Sequence, residues 1–277
     1  MFRMNTPPEY LTSDVFSCSV VHCFSTRRGG VSAGHLSSLN LGVHRGDDWA
    51  NVYENYRRLG AAVGFTPEQT VFTRQTHTDA VARVGTADRG VGLFREVEPE
   101  RDGIYTDEPG VALVCFSADC TPILLHDPVQ HAVAAIHAGW RGTALGIAAR
   151  CVEAMTRDFG TDPADVQAAI GPCIGSCCFE TDRNVPDAMI AALGPEAEQF
   201  IRPAARHKSG GETSNFASVE KFFPDLKRLN ALWLRRAGVK TVDISRDCTH
   251  CQPDRFWSHR VTGQARGSMA AVIMLRE

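Results

Sequence analysis

Three short clusters in the chain combine side chains that ligate metals or exchange protons. They are Gln75-Thr76-His77, Ala118-Asp119-Cys120 and His137-Ala138-Gly139-Trp140-Arg141-Gly142. Each adjoins an apolar run, and strand ends are where a sheet delivers side chains into a crevice. His77, Cys120 and His137 supply two imidazoles and a thiol, a donor set that suits zinc in a catalytic site. Such a set leaves the fourth tetrahedral position for water or substrate, and the ion acts there as a Lewis acid that makes hydroxide available near neutral pH. The spacings, 43 residues and then 17, match no zinc-finger pattern, so the three meet only if folding brings them together. Taken singly, Cys120 also reads as a buried small hydrophobe and His137 as a hydrogen-bonded core histidine. Asp119 reads as a proton carrier or as a partner that orients a ligand, and nearly as well as a structural carboxylate holding loop amides.

Other candidates lie further along. Phe256, Trp257, His259, Arg260 and Arg266 precede the last apolar run. Aromatic rings with guanidinium groups can stack a purine or hold a phosphate, or they can close a core beneath solvated arginines. Asn40, His44 and the pair Arg27-Arg28 could serve the same crevice, a solvated loop being the plainer reading of the two arginines. Cys248-Thr-His-Cys251 is a CxxC, and Cys173, Cys177 and Cys178 lie in a Gly/Pro loop. Together they suggest a structural zinc site, but Cys173 and Cys177 lack CxxC spacing, and the set is put aside. Cys18, Cys23, Cys115 and Cys151 occupy apolar positions and read as core.

The elements that must position these residues are legible as hydrophobic periodicity. Residues 18–24 read as a strand followed by a long polar, Gly-rich segment. Asp47 or Asp48 caps a helix whose stripe is Val52, Tyr56, Leu59 and Val63. Residues 70–84 alternate as strands around a polar centre, and 110–127 read as two buried strands flanking residues 118–122. Residues 131–140 form the next strand. A helix carries Leu145, Ala149, Val152 and Met155 and stops at Gly160. Residues 166–175 run from a strand into a Gly/Pro/Cys loop. The stretch 218–239 is mostly helix, with Phe222, Leu226, Leu229 and Trp233 on one face and Pro224 in its first turns or at a break. Residues 241–245 and 268–275 are strands. There is no regular βαβ repeat, no Gly-rich phosphate fingerprint and no low-complexity linker. The expectation is one α/β domain over residues 1–277, with mixed β-sheets flanked by helices.

Composition narrows the function classes. With 277 residues the chain can bury a sizeable core. A formal net charge of −3 offers nothing to nucleic acid or to an anionic membrane. No stretch is apolar enough to span a bilayer, and the N-terminus lacks a signal-peptide pattern, so a cytoplasmic location is expected. In a reducing compartment the ten cysteines are thiols, ligands or nucleophiles more often than disulfides.

The segments "SSLNLGVHRGDDWANVYENYRRL", "RQTHTDAV", "FSADCTPILLHDP", "AAIHAGWRGT", "AAIGPCIGSCCFE" and "CTH…FWSHR…ARGSMAAVIML" occur in the order found in the YfiH family, also called the laccase-domain or multicopper-polyphenol-oxidase-like family. The resemblance runs from about Phe24 to the C-terminus, and "HAGWRG" and "ADC.P" are its most specific pieces. It implies a single α/β domain with mixed sheets, similar to the catalytic domain of cytotoxic necrotizing factor. It implies zinc held by His77, Cys120 and His137. The activities it implies are phosphorolysis of adenosine, inosine and methylthioadenosine and deamination of adenosine. Older and alternative labels are copper-dependent polyphenol oxidase and peptidoglycan-editing factor. The chain departs from the family pattern at Thr78, where glycine is usual, at Trp257 and His259, and at Gln264-Ala265-Arg266.

From these readings the expected reaction is attack of phosphate on a purine nucleoside, the phosphate being held by Arg141 and Arg260. Asn40 and His44 join the substrate crevice. Gly139 lets the backbone approach closely, and Trp140 excludes water. A rival reading makes Cys120 a nucleophile with His137 as its base, hydrolysing cell-wall precursors. A multicopper oxidase is a poor fit, because the ten histidines include no His-x-His pair. A binding protein without catalysis has little support. Oligomeric state and the preferred purine are left open.

Overall fold

Alternating apolar residues build two six-stranded mixed sheets packed face to face. They are described in a computed structural model for residues 1–5, 7–16, 18–96, 99–204 and 220–276. In chain order the strands are β1 (Phe2–Asn5), β2 (Tyr10–Ser13), β3 (Val20–Ser25), β4 (Thr70–Phe72), β5 (Val81–Arg83), β6 (Gly103–Thr106) and β7 (Ala112–Ser117). They continue as β8 (Thr121–Asp127), β9 (Ala132–Ala138), β10 (Gln167–Ile170), β11 (Ile201–Pro203), β12 (Phe222–Pro224), β13 (Thr241–Ile244) and β14 (Met269–Leu275). The helices are α1 (Trp49–Val63), α2 (Trp140–Ala144), α3 (Ile147–Phe159), α4 (Asn184–Leu193), α5 (Leu226–Arg236) and α6 (His259–Thr262). One sheet runs β1-β2-β3-β14-β7-β4 and the other β13-β10-β8-β9-β6-β5, while β11 and β12 pair separately. Both sheets are mixed: β4 lies parallel to β7, β5 to β6 and β10 to β13.

Side chains alternate across a strand, so each sheet has two apolar faces to cover. Leu113, Cys115, Ala271 and Ile273 of the first sheet meet Leu124, Val133 and Ala135 of the second in a shared core. On the first sheet's outer face, Ala112, Val114 and Val272 pack against Val52, Tyr56 and Leu59 of α1. On the second sheet's outer face, Leu125, Ala134 and Ile136 pack against α3 and α5 through Ile147, Val152, Met155 and Leu234. The layer order is therefore helix, sheet, sheet, helix, the expected α/β arrangement with mixed sheets.

Local details sharpen the expectations. Asp48 caps α1 by accepting from the Ala50 amide, while Asp47 turns inward to Ser32, Asn40 and Asn51. Gly160 ends α3 with a left-handed φ of 74°. Gly146, at φ 76°, separates α2 from α3, which leaves Leu145 exposed instead of on the helix's apolar stripe. The helix expected over 218–239 is shorter. Phe222–Pro224 pairs as a strand, and α5 begins at Leu226 beneath the Asp225 side chain, which accepts from the Arg228 amide. Pro224 marks the break, and residues 218 and 219 lie outside the described residues. No described helix is long and apolar enough to cross a membrane.

Two features of this topology build a site. Residues 118–120 carry the chain from β7 in one sheet to β8 in the other. The β8–β9 register pairs Thr121 with Ala138 and Pro122 with His137, so Cys120 at the head of β8 lies beside the end of β9.

Candidate metal centre

His77, Cys120 and His137 converge. Their ligating atoms all lie within 4.8 Å of one another, with His77 Nε2 3.7 Å from Cys120 Sγ. A tetrahedral zinc with ordinary Zn–S and Zn–N bonds sets its S and N ligands about 3.6 Å apart, so the donors sit near ligating distance. The two imidazoles meet edge to face, ring centroids 5.0 Å apart.

The sequence supports this convergence through backbone conformations that few residues adopt. His77 has φ 65° and Asp119 φ 91°, left-handed values that mark strain beside two of the three donors. Gly139 is required because a Cβ there would lie 2.5 Å from His77 Cδ2 and 3.3 Å from Cys120 Sγ. The close backbone approach expected at this step is therefore present, and its reason is steric.

What holds His77 and His137 in place is Asp102, which sequence reasoning passed over. Asp102 is fully buried. Its Oδ1 accepts from His137 Nδ1 at 2.7 Å and from the His77 amide at 3.1 Å. Its Oδ2 accepts from the amides of Thr76 and Thr78 at 3.1 and 2.9 Å and from the Thr78 hydroxyl at 3.0 Å. With the proton on Nδ1, His137 turns the Nε2 lone pair toward Cys120 and His77, as a carboxylate–histidine–metal arrangement requires. Thr78, the departure from the family pattern, thus adds one donor to this carboxylate. Burial alone would raise the Asp102 pKa, but the His137 ring and the loop amides outweigh it and pull it down to about 2.

The same charges act on the other two groups. Burial opposes ionisation of Cys120, yet His137 and His77 win and draw its thiol down to about 6. Burial disfavours the charged form of His137, but the Cys120 thiolate and Asp102 raise it to about 9. Without an ion the protein therefore favours a thiolate beside an imidazolium, and a divalent ion bound here would take the thiolate and displace the His137 Nε2 proton.

Asp119 is a positioning residue in this geometry. Its Oδ1 accepts from the Thr249 hydroxyl, and its Oδ2 accepts from the Ser258 hydroxyl and the Arg260 amide. These contacts fix the residue before Cys120.

The donors open into a cleft of about 770 Å³ whose walls include His44, Arg45, Trp49, Arg74, Gln75, Phe94 and Arg266. Trp49 is 53% exposed and Phe94 44%; their rings meet edge to face at 6.3 Å, and Trp49 stacks one face on Tyr53, so the cleft lining includes an exposed aromatic patch. Arg266 is half-buried beside Arg45, and its partial burial together with that second guanidinium lowers its pKa to about 10. Two neighbouring cations in a partly dry wall form a place for an anion.

Of the residues expected at the crevice, His44 is in the wall. Asn40 is buried beneath it, its side chain bonded to the amides of Gly42 and Ser268, so it shapes the wall without facing the cleft. Arg141 and Arg260 are not among the lining residues. Arg141 stacks on Trp140 at 4.3 Å, and Trp140 packs against the cluster under α4 and α5 instead of shielding the donors. The Arg260 guanidinium is bonded to the carbonyls of Cys178 and Glu180. The cationic wall comes from Arg45 and Arg266 instead. Arg45 lay unremarked beside His44 in the quoted segment, and Arg266 stood in the C-terminal aromatic cluster and among the departures from the family pattern. Among the cysteines put aside, Cys177, Cys178, Cys248 and Cys251 are clustered, and Cys173 is buried nearby.

Residues 21–276 match the family described as multi-copper polyphenol oxidoreductase laccase. Purine nucleoside phosphorylase YlmD of Geobacillus stearothermophilus is 39% identical over 91% of this chain and 89% of its own length. Purine nucleoside phosphorylase YlmD of Bacillus subtilis is 33% identical over 100% of this chain and 98% of its own. The crystal structure of Bacillus licheniformis hypothetical protein YfiH superposes with a TM-score of 0.89 at 34% identity, covering 99% of each chain.

Proposed function

We propose that this chain, which belongs to the multi-copper polyphenol oxidoreductase laccase family, is a zinc-dependent purine nucleoside phosphorylase. One observation carries the reading. A single cleft is lined by His77, Cys120 and His137, by Arg45 and Arg266, and by the exposed rings of Trp49 and Phe94. The two arginines suit phosphate and the aromatic rim suits a purine. The relatives named as purine nucleoside phosphorylases support the same substrate class.

In the reaction an oxygen of hydrogen phosphate bonds to C1′ of the ribose, the C1′–N9 bond breaks, and the purine leaves with the proton that the phosphate gives up. Arg45 and Arg266 hold the phosphate in line with C1′. Trp49 and Phe94 stack the base and keep water from that side. His44 lies in the wall where it can hydrogen-bond the nucleoside. Asp102 keeps the proton on His137 Nδ1. Zinc bound by the three donors would supply a Lewis acid at the cleft floor. The same centre extends the proposal to adenosine, whose 6-amino group water would displace as ammonia. Two imidazoles and one thiolate suit zinc better than a multicopper cluster. Among the described residues the only other group of three or more potential ligands is all cysteine.

The test is incubation of zinc-loaded protein with adenosine, with and without phosphate. Adenine and ribose 1-phosphate formed only with phosphate is the expected result, and inosine marks the deamination. Absence of both from a zinc-replete, folded sample refutes the proposal. One observation favours a second reading, a hydrolase of cell-wall precursors that uses Cys120 as nucleophile. His137 bridges the thiol and Asp102, and the thiol ionises near pH 6 without an ion. Equimolar zinc would block that chemistry and support phosphorolysis.

A further inference from the structure

We propose that Cys177, Cys178, Cys248 and Cys251 form a second metal site, which binds one zinc ion through four thiolates and pins the loop carrying Asp119 and Cys120. The site is separate from the cleft, and the inference does not depend on what the cleft turns over.

The geometry is that of a ligand cage. All four sulfur atoms lie within 4.8 Å of one another, with Cys177 and Cys178 at 3.6 and 3.3 Å from Cys251. A tetrahedron with Zn–S bonds of about 2.3 Å has edges of about 3.8 Å. Disulfide sulfurs sit about 2.0 Å apart, and all ten cysteines are free. Four thiols packed this closely, two of them exposed, gain nothing as hydrophobic core. The Gly175 amide donates to Cys248 Sγ at 3.1 Å, the kind of bond that stabilises a charged sulfur. Gly175 also leaves space for the cage, since a Cβ there would lie 3.1 Å from Cys177 Sγ and 3.4 Å from Cys248 Sγ. Arg202 and Arg260 donate to the carbonyls of Ser176 and Cys178, which brings positive charge to the flank of a site that stays anionic with a divalent ion bound.

The topology explains why two distant pairs meet. β10 and β13 are parallel neighbours, so their ends release the two cysteine-bearing loops side by side. A parallel bridge between Cys173 and Cys248 and a bond from the Thr249 amide to the Cys173 carbonyl continue that pairing into the loops.

Both loops also grip Asp119. Thr249, inside the CxxC, donates its hydroxyl to Asp119 Oδ1 at 2.6 Å, and the Ile174 amide donates to the Asp119 carbonyl at 3.0 Å. An ion that joins Cys177 and Cys178 to Cys248 and Cys251 therefore locks the two segments that hold the left-handed residue before Cys120.

The test uses the full chain. Wild-type protein should retain two zinc equivalents, and Cys120→Ser should retain one. X-ray absorption at the zinc edge of Cys120→Ser should then report four sulfur neighbours. In wild-type protein, without any substitution, stoichiometric zinc should protect Cys177, Cys178, Cys248 and Cys251 from alkylation, and a strong chelator should release all four, as read by peptide mass. Chelation should also raise hydrogen exchange at residues 118–120. No retained zinc in folded Cys120→Ser, nitrogen or oxygen neighbours at that ion, or a mass loss of two hydrogens from disulfide formation among these cysteines would each overturn the site. Unchanged exchange at 118–120 after zinc release would overturn the pinning.

Discussion

Replacing Asp102 with asparagine keeps the shape of the side chain and removes its charge and one of its two accepting atoms. In the native centre Oδ1 serves His137 and the His77 amide, and Oδ2 serves Thr76 and Thr78. An amide cannot satisfy both sets. With its nitrogen in the Oδ2 position, the partly buried amides of Thr76 and Thr78 lose their acceptor, at about 1 kcal/mol each, or about 2 kcal/mol in total. With its nitrogen in the Oδ1 position, the His137 proton moves to Nε2 and removes the lone pair that faces Cys120. Asp102→Asn is therefore expected to unfold at lower urea and to bind zinc about 10- to 100-fold more weakly. Urea titrations of chelated protein measure the first effect, and competition with a chelating dye measures the second. Asp107→Asn is the control, because it removes only an exposed pair with Arg83, worth at most about 1 kcal/mol. Wild-type stability and zinc affinity in Asp102→Asn would refute the assignment of Asp102 as the residue that orients the centre.

Metal-stripped protein should alkylate at Cys120 with half-maximal rate near pH 6, because the imidazoles hold its thiolate, and zinc should suppress the reaction; a midpoint near 9 would contradict the charge arrangement. Gly139→Ala should weaken zinc binding by about tenfold or more while leaving the fold intact, since the new Cβ meets the His77 ring; zinc titration of the folded variant checks it. Arg266→Ala should raise KM for phosphate about 10- to 100-fold with little change in KM for the nucleoside, as expected for a lost charge-assisted bond. His22 provides a pH test away from the centre. Burial lowers its pKa from 6.5 to about 4, and its Nε2 accepts from the Ser13 amide. The unfolded chain then binds the extra proton, so this stability is complete above about pH 6.5 and is lost as pH falls toward 4. After discounting for partial exposure the loss is about 2 kcal/mol, and it should be absent in His22→Gln when stability is measured at both pH values.

How much of this was legible beforehand follows from range along the chain. The buried strands at 112–117, 121–127 and 132–138 show as short apolar runs, and the polar clusters at their ends show where chemistry could sit. The helix ends at Asp48 and Gly160 follow from local capping chemistry. His77, Cys120 and His137 could be nominated because their side chains have few ordinary uses together at strand ends.

Residue order alone determined the central buried strands, the cap and stop residues of the first long helices, and the identity of the three candidate donors. Each of these depends on neighbours within a few positions. Tertiary structure decided which side chains face one another. Asp102 lies 35 residues before His137 and looks like any acid ahead of a strand until β6 and β9 pair. Arg141 sits one turn from the donors in sequence, yet α2 carries it onto Trp140 and away from the cleft, while Arg45 and Arg266 arrive from opposite ends of the chain. The four cysteines become a cage only because two parallel strands release their loops side by side. A side chain's partners depend on strand order and register, and those are settled by burying both faces of two sheets at once, a constraint no local stretch of sequence contains.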